Sequence, residues 1–519
     1  MKKNFISSAG VLAFSVILAK VLGAIYRIPL ANIIGAEGMG IYQFVYPIFA
    51  LLLTLSSGAV PNAISITVSE HVANNDEDGA KKAFGVALKI CVVIGTVGAV
   101  IMCIIAYPVS LLQTKDAFIG HLSIAPAIFI VTLISAFRGW FMGHSNLVPS
   151  SLSQITEGTV KLSVGLTLTS LLYKYGIKYA VVGALLGVVA SELVTLIVMF
   201  VAYLIKDKKF VKVKIKDEKE TVNRLKTLAL PLIICGMILP LSQFIDSVLI
   251  VNLLKWKGVA TAVADYGIWS GIVTPLINLP VMVCISLGIA ITPQMVEGRE
   301  KHDVDYVVDK ATTTSKLTFI LGVPFVFFYL FMAKGIINVL YPTLTQEKLV
   351  IATNLLQINA LSVLGLSIFQ IYSAMLQGLN RAKVPVKIMI ICMTIKLLLT
   401  VILTPLLGIL GSAISACIGY VASGVIIMVY FAKFVNLDTE FIKNAGVITL
   451  CGVIMSMVII MSGVFQNSIY AIIIVGIISC FIYAVAIMVL RVFTKRELAT
   501  MPMSKFLLKI DDIMHGGSQ

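Results

Sequence analysis

The segment from Lys20 to Pro47, KVLGAIYRIPLANIIGAEGMGIYQFVYP, places two cations inside an apolar run. Residues 9–30 are apolar enough to cross a bilayer, yet Lys20 and Arg27 lie among them. A cation at that depth costs about 2.5–3.5 kcal/mol on insertion scales. Seven residues are about two helical turns, so both cations share one helix face, which Gly23 leaves open. This pattern predicts a cationic stripe that lines a water-filled cavity.

The composition indicates a membrane protein. Of the 519 residues, 59% are hydrophobic and only 13% are charged, which excludes a soluble globular protein. The formal net charge of +15 comes mostly from short loops, where basic residues orient membrane helices, so we expect no nucleic-acid partner. The eight cysteines lie in apolar runs and the five histidines lack ligand spacing, so we expect neither a metal site nor a cofactor.

Apolar runs of about 20 or more residues predict an all-α polytopic membrane protein with about 14 transmembrane helices. The predicted spans are 9–33, 41–69, 83–112, 117–142, 149–173, 179–205, 228–254, 266–296, 311–341, 349–378, 384–407, 409–432, 443–464 and 468–491. On this map 27 Lys and Arg lie in or near segments on the N-terminal side of the membrane and 7 lie in or near loops on the other side. This bias predicts a multi-pass plasma-membrane protein with both termini cytoplasmic.

An internal repeat divides these helices into two halves. The sequence around Lys161 aligns with that around Lys396 at an offset of 235, and Gly187 aligns with Gly419 at an offset of 232. We therefore predict two pseudo-symmetric six-helix lobes in the same orientation, a plan of transporters with the substrate path between halves. The predicted domains are an N-lobe (1–205), a cytoplasmic basic connector (206–227), a C-lobe (228–433), helices 13 and 14 (434–493) and a cytoplasmic tail (494–519).

Two further lysines lie near the cytoplasmic ends of predicted spans. Lys89 in helix 3 and Lys316 in helix 9 are within about two turns of those ends. A long lysine side chain at such a position can extend its ammonium group to the interface. We therefore expect neither lysine to belong to the cavity.

Helix 5 and its repeat partner each carry a lysine at membrane depth. Glu157 precedes Lys161 by four residues, so the two side chains can neutralise each other. The repeat partner of Glu157 is Cys392, which leaves Lys396 without a local counter-ion. We therefore expect Lys396 to face the cavity, whereas Lys161 is either a structural or a cavity residue.

Two more acids lie inside predicted spans. Asp246 in helix 7 is the acid closest to the middle of the membrane. It is interpreted, in this order, as a counter-ion for Arg27 or Lys20, as a ligand of a coupling ion, or as a buried hydrogen-bonded group. Glu192 in helix 6 faces small residues and is either a coupling or counter-ion residue or only a helix–helix contact.

The six bases predicted within the membrane exceed the three acids, so the cavity is expected to attract anions. Arginine offers a planar fork and lysine a compact charge, a combination that suits phosphate or pyrophosphate. The predicted substrate-binding residues are Lys20, Arg27, Lys161 and Lys396. Because the motifs G-x-S-x-G, H-E-x-x-H and GxxxxGK[ST] are all missing, we do not expect an enzyme.

The opening KVLGAIYRIPLANIIGAEGMGIYQFVYPIFALLLTLSSGAVPNAISITVSE resembles the polysaccharide-biosynthesis or flippase branch of the multidrug/oligosaccharidyl-lipid/polysaccharide (MOP) exporter superfamily. Within it the chain is similar to the stage V sporulation protein B group and, more distantly, to MurJ-type lipid II flippases. The resemblance implies that an undecaprenyl-pyrophosphate-linked saccharide, such as a peptidoglycan precursor, moves from the inner to the outer leaflet by alternating access. It also implies that first-helix cations line the cavity: Lys20 matches the base before V-L-G, whereas Arg27 lies one position past the next expected base.

Two other functions stay open. A MATE-like cation or drug antiporter of the same superfamily would need acids such as Asp246 and Glu192 to dominate the cavity. A non-transporting membrane scaffold for wall or spore assembly would tolerate apolar replacements of the intramembrane cations. For the flippase we expect a lipid-linked oligosaccharide (polyprenyl pyrophosphate) and membrane lipids as partners, and a monomer.

Overall fold

The structure is a computed structural model that describes residues 2–206, 219–435, 440–462 and 468–494. Helices joined by short turns make up this part of the chain. The chain divides into two compact units, Met1–Pro275 and Leu276–Gln519, which we call unit 1 and unit 2. Residues 207–218 of the predicted connector and 495–519 of the predicted tail lie outside the described ranges.

Unit 1 contains eight α-helices in its described residues, followed by a π-helical turn. They are α1 (Lys2–Ser57), α2 (Val60–Ala73), α3 (Glu77–Leu112), α4 (Ala117–Gly143), α5 (Val148–Tyr173), α6 (Ile177–Lys206), α7 (Lys219–Trp256), α8 (Ala262–Gly267) and the turn Ile268–Val273. The next helix, α9 (Thr274–Glu300), begins at the boundary and leads into unit 2. Unit 2 continues with α10 (Val304–Phe331), α11 (Ala333–Leu340), α12 (Gln346–Ile358), α13 (Ala360–Gly378), α14 (Lys383–Leu407), α15 (Ile409–Val435), α16 (Glu440–Met461) and α17 (Ile469–Val489).

The helical spans confirm the prediction of an all-α polytopic membrane protein. In the described residues, 12 helical stretches are long and apolar enough to cross a membrane. One of them, Val21–Ala73, covers the second predicted span and the part of the first from residue 21 onward, because helical geometry is interrupted only at Gly35 (φ 66°, ψ −174°) and near Gly58. Such a backbone conformation is accessible essentially to glycine alone. Helix α5, with Gln154, Glu157 and Lys161, is not among the 12, so the predicted count of 14 remains approximate.

Glycine residues allow α5 and α6 of unit 1 to pack at a short distance from each other. A Cβ atom at Gly187 would overlap the backbone of Gly165, and one at Gly183 would lie 2.6 Å from the carbonyl oxygen of Leu168 and 2.9 Å from the amide nitrogen of Thr169. Because hydrocarbon surrounds these helices, close packing over small residues is a main source of their attraction. The two contacts also show that α5 and α6 run in opposite directions, and they fix the register between them.

Aromatic packing joins α3, α4 and α6 at one end of unit 1. The ring of Phe84 lies 5.0 Å from that of Trp140, 5.2 Å from that of Tyr203 and 5.5 Å from that of Phe137. All four side chains are buried. Aromatic pairs at these separations contribute about 0.5–1.5 kcal/mol each beyond the area they bury. This cluster fixes α4 relative to its neighbours and so positions the residues that α4 presents to α5.

The end of α3 is bonded to α7 and to α1. Gln113, at the C-terminal cap of α3, donates from Nε2 to Ser247 Oγ (2.9 Å) and to the Phe44 carbonyl (3.2 Å). Lys255 Nζ donates to the Gln113 carbonyl (2.7 Å), and Asn252 Nδ2 donates to the Leu112 carbonyl (2.6 Å). The last carbonyls of a helix have no partner within it, and a cation there also complements the helix dipole. Helix α7 therefore belongs to unit 1 through specific polar contacts.

Helix α8 packs against α1 just as closely. A Cβ atom at Gly40 would overlap the Val263 carbonyl, and one at Gly267 would overlap the backbone of α1. The rings of Phe44 and Tyr266 stack at 5.2 Å. Helices α7 and α8, which the repeat assigned to the C-lobe, thus lie in unit 1, and the division into lobes by the repeat stays a prediction.

Unit 2 contains a helix pair, α14–α15, at the positions that the repeat matches to α5–α6. The two helices are separated by Gly408, whose φ of 65° ends α14, and this confirms the predicted break there. A Cβ atom at Gly419 would lie 2.8 Å from Lys396 Cβ, so glycine also permits the close contact in this pair. Nearby, Tyr372 of α13 packs edge-on against Phe431 of α15 at 5.2 Å.

Candidate functional site: cations and tyrosines in unit 1

Two cations from different membrane helices converge on the same tyrosine ring. The guanidinium carbon of Arg27 on α1 lies 5.7 Å from the ring centroid of Tyr46, and Lys161 Nζ on α5 lies 5.6 Å from that centroid. Lys161 Nζ also lies 5.5 Å from the ring of Tyr26, and Tyr42 stacks on Tyr46 at 5.8 Å. We call these five residues the cation–tyrosine cluster.

The glycine spacing of α5 directs Lys161 toward α1. Gly158 and Gly165 lie three residues before and four residues after Lys161, so all three share one helix face. A Cβ atom at Gly158 would lie 3.0 Å from Leu22 Cδ1, and one at Gly165 would lie 3.0 Å from Tyr26 Cε2. The two glycines therefore let α5 approach α1 closely, and the lysine between them extends over the tyrosines of α1.

The cation–tyrosine cluster carries two positive charges that the protein does not neutralise directly. In the part of the chain that the structure describes, neither Arg27 nor Lys161 forms an ion pair within 4.0 Å. A cation over an aromatic ring gains about 0.5–2 kcal/mol, which partly offsets the loss of water but leaves the charge in place. Both side chains are half-buried, whereas Tyr26 and Tyr42 are buried. An anion is the ligand that this arrangement favours.

Glu157 pairs with a residue that the sequence did not indicate. Arg138 of α4 donates from Nη2 to Glu157 Oε2 (3.1 Å) and from Nε to Ser153 Oγ (3.1 Å). The expected pairing of Glu157 with Lys161 is wrong, because α4 brings Arg138 to the carboxylate while Lys161 is directed to the tyrosines of α1. Arg138 was not among the six bases predicted within the membrane, although it lies in the apolar run AFIGHLSIAPAIFIVTLISAFRGWFMG of α4. The rule applied to Lys20 would have found it.

We expect Arg138 and Glu157 to be energetically coupled by about 1–2 kcal/mol. Their side chains are 20% and 36% exposed, so the pair lies between a surface ion pair and a fully buried one. Arg138→Gln, Glu157→Gln and the double variant form a double-mutant cycle, measured as thermal unfolding of the protein in lipid nanodiscs. Arg224→Gln with Glu70→Gln, an exposed pair between α7 and α2, is the matched control. A coupling no larger than that of the exposed pair would contradict a structural role for Arg138.

The other predicted acids are both buried in unit 1. Asp246 on α7 is 8% exposed and lies beside Ser247, which accepts the hydrogen bond from Gln113. Among the described side chains Arg27 makes no ion pair with Asp246, and the side chain of the other predicted partner, Lys20, lies outside them, so the counter-ion role of Asp246 stays a prediction. Glu192 on α6 is 7% exposed. The coupling and counter-ion roles of these acids remain predictions.

The remaining predicted cations are distributed over both units. The side chain of Lys20 lies outside the described residues, so its role stays a prediction. Lys396 in unit 2 is only 3% exposed, with Nζ 5.8 Å from the ring of Tyr420, and its place in a substrate cavity likewise stays a prediction. Lys89 is exposed on α3, as expected. The interface position expected for Lys316 is wrong: the side chain is 5% exposed, because α10 is packed against both α13 and α16.

Potential metal ligands are dispersed in the described residues. No three His, Cys, Asp or Glu side chains come together there to hold a metal ion. The cysteines whose side chains are described are all free, and most of them are buried.

Comparison with known proteins identifies the family of this chain. Residues 5–299, more than half of the chain, match the family model described as polysaccharide biosynthesis protein. The chain belongs to the polysaccharide biosynthesis protein family. A second model, MatE, matches residues 231–402. The two matches confirm the predicted superfamily, the MOP exporters, and its polysaccharide and flippase branch.

The relatives of this family member include proteins of Bacillus subtilis (strain 168). Stage V sporulation protein B is 29% identical over 96% of this chain and 98% of its own length. The lipid II flippase MurJ is 24% identical over 82% of this chain and 81% of its own length. Among solved structures, a lipid II flippase MurJ in an inward closed conformation is similar with a TM-score of 0.68, at 17% identity, over 91% of this chain and 97% of that one.

These similarities bear on three further predictions. The structural likeness, at its low identity, shows that the chain has the MOP transporter fold. The MurJ relative is named for flipping a lipid, which confirms that this family member is not an enzyme. With the apolar helices, the relatives also establish a multi-pass membrane protein.

Proposed function

We propose that the protein is a flippase that moves an undecaprenyl-pyrophosphate-linked saccharide, the peptidoglycan precursor lipid II in the first place, from the inner to the outer leaflet by alternating access. The observation that carries the proposal is the cation–tyrosine cluster, in which Arg27 and Lys161 share the ring of Tyr46 without an ion-pair partner in the described residues. Two like charges at membrane depth cost free energy unless a ligand of opposite charge offsets them. Similarity to the lipid II flippase MurJ supports the choice of ligand.

The chemistry of the cluster suits a pyrophosphate. Arg27 can donate two parallel hydrogen bonds to one phosphate, and Lys161 can contact the other as a compact charge. The phenol groups of the three tyrosines offer further donors at the same place. Lys20 on α1 and Lys396 in unit 2 complete the proposed set of cations. In this proposal both termini are cytoplasmic and the protein works as a monomer.

Complementation tests this function. In a strain depleted of its lipid II flippase, the wild-type chain is expected to restore growth, whereas Lys20→Ala and Arg27→Ala are expected to reach the membrane at normal levels without restoring growth. Growth supported by the variant that carries both changes would refute the proposed role of the cations. It would favour the scaffold for wall or spore assembly, which does not need them.

A cation or drug antiporter is the second candidate. The match of residues 231–402 to the MatE model and the burial of Asp246 and Glu192 favour it. The two functions differ in what the acids do. An antiporter loses drug efflux when Asp246 or Glu192 becomes an amide and keeps it when Arg27 becomes alanine, whereas the proposed flippase is expected to show the opposite sensitivity to Arg27.

A further inference from the structure

Glu192 is a buried carboxyl group without a direct partner. It lies near the middle of α6, is 7% exposed, and makes no hydrogen bond or ion pair within the described residues. An ionised carboxylate in such surroundings loses the hydration of water and gains no bond in return. Buried charges in proteins are normally paired, so this isolation requires an explanation that helix packing does not supply.

The register of α5 and α6 places Glu192 at the level of Lys161 along the helix axis. Gly187 contacts Gly165, and the two helices run in opposite directions. Glu192 lies five residues beyond Gly187 and is therefore level with Val160, five residues before Gly165. At a rise of about 1.5 Å per residue, Lys161 is then within about 2 Å of its level along the helix axis.

The charged groups that face Glu192 come from α4 and α5. Helix α6 packs against α1, α4 and α5. Arg138 on α4 and Glu157 and Lys161 on α5 interact with Glu192 electrostatically, whereas no charged group of α1 among the described side chains does so. Arg138 forms an ion pair with Glu157, whereas Lys161 makes no ion pair among the described residues, so Lys161 is the cation near Glu192 whose charge is still available to a ligand. An anion that pairs with Lys161 offsets the electrostatic attraction between Lys161 and Glu192.

We propose that Glu192 takes up one proton from cavity water when an anionic headgroup binds at the cation–tyrosine cluster and releases it when the headgroup leaves. The step converts a carboxylate and a proton into a neutral carboxylic acid, and no other bond forms or breaks. The repulsion between the headgroup and an ionised Glu192 in a site of low dielectric drives the uptake. This inference rests on the proposed function, because it requires the cluster to bind a pyrophosphate.

Calorimetry of headgroup binding tests the inference. The full-length protein in phosphatidylcholine nanodiscs is titrated with geranyl pyrophosphate, a soluble polyprenyl pyrophosphate, in two buffers of different ionisation enthalpy. The wild type is expected to take up as much as one proton more than Glu192→Gln. Its affinity is expected to fall by as much as tenfold per pH unit, relative to that of the variant, across the range in which Glu192 ionises. The titration of the probe itself is common to both proteins and cancels in the difference.

Two further variants serve as controls in this test. Glu347→Gln removes an exposed carboxylate in the first turn of α12 and is expected to behave as the wild type. Glu192→Asp keeps an acid at the site and is expected to retain proton uptake, which guards against misfolding of the amide variant. Equal proton uptake by the wild type and Glu192→Gln would overturn the inference while leaving the proposed function intact. A folded wild type that does not bind the probe would overturn the proposed function as well.

Discussion

Replacing Lys161 with methionine is expected to weaken the binding of geranyl pyrophosphate by about 10- to 100-fold, because a hydrogen bond to a charged group contributes about 1.5–3 kcal/mol. Methionine keeps the length and apolar stem of the side chain and removes only the ammonium group that lies over Tyr26 and Tyr46. Titration calorimetry in nanodiscs measures the affinity. The same variant is expected to fail in the complementation of a flippase-depleted strain.

The matched control for Lys161→Met is Lys89→Met. Lys89 is also a lysine on a membrane-spanning helix, but its side chain is exposed on α3 and is not part of the cation–tyrosine cluster. The control is expected to bind the probe with wild-type affinity. If the two variants lost affinity equally, the effect would come from net charge alone and the cluster would not be the binding site.

Replacing Gly187 with alanine is expected to destabilise unit 1 by about 2–3 kcal/mol, the upper part of the range for an overpacked core. The added Cβ atom would overlap the backbone of Gly165, which cannot move aside as a flexible side chain could. Because the same contact sets the register of α5 and α6, separation of the helices is expected to weaken probe binding as well. Thermal unfolding in nanodiscs measures the first effect, and calorimetry measures the second.

Gly446→Ala is the control for Gly187→Ala, and no loss of stability is expected from it. Gly446 lies within α16, is exposed, and has no atom within 4 Å of the position of an added Cβ. Alanine favours a helix over glycine by about 1 kcal/mol, so this variant is expected to unfold at the wild-type temperature or above it. A similar loss of stability in both variants would show that the close approach of α5 and α6 does not determine the stability of unit 1.

Much of the candidate site follows from local sequence patterns. The apolar runs predict the spans, and a charge inside such a run, as at Arg27 or Lys161, stands out because of its insertion cost. The spacing of Gly158, Lys161 and Gly165 also places the lysine on a small-residue face. These features depend on residues a few positions apart in the chain, and the geometry of a single helix determines how they are arranged.

Partner choice between helices was the part that sequence could not predict. Glu157 has Lys161 one turn away, yet its partner is Arg138, 19 positions earlier on another helix. The burial of Lys316 has the same origin, because a lysine near the end of an isolated helix reaches the interface, whereas this one lies on a helix packed against α13 and α16. In each case a contact with a neighbouring helix replaces the interaction expected from the isolated helix.

The sequence by itself determined that the chain crosses the membrane many times and that it keeps cations at depths where they are costly, because hydropathy and charge act on each helix separately. Only the tertiary structure decided that Arg27 and Lys161 meet at Tyr46, that Arg138 neutralises Glu157, and that Glu192 makes no hydrogen bond or ion pair within the described residues. The physical reason is the register between helices. It depends on where backbones can approach, as at Gly165 and Gly187, and no property of either helix alone specifies that pairing.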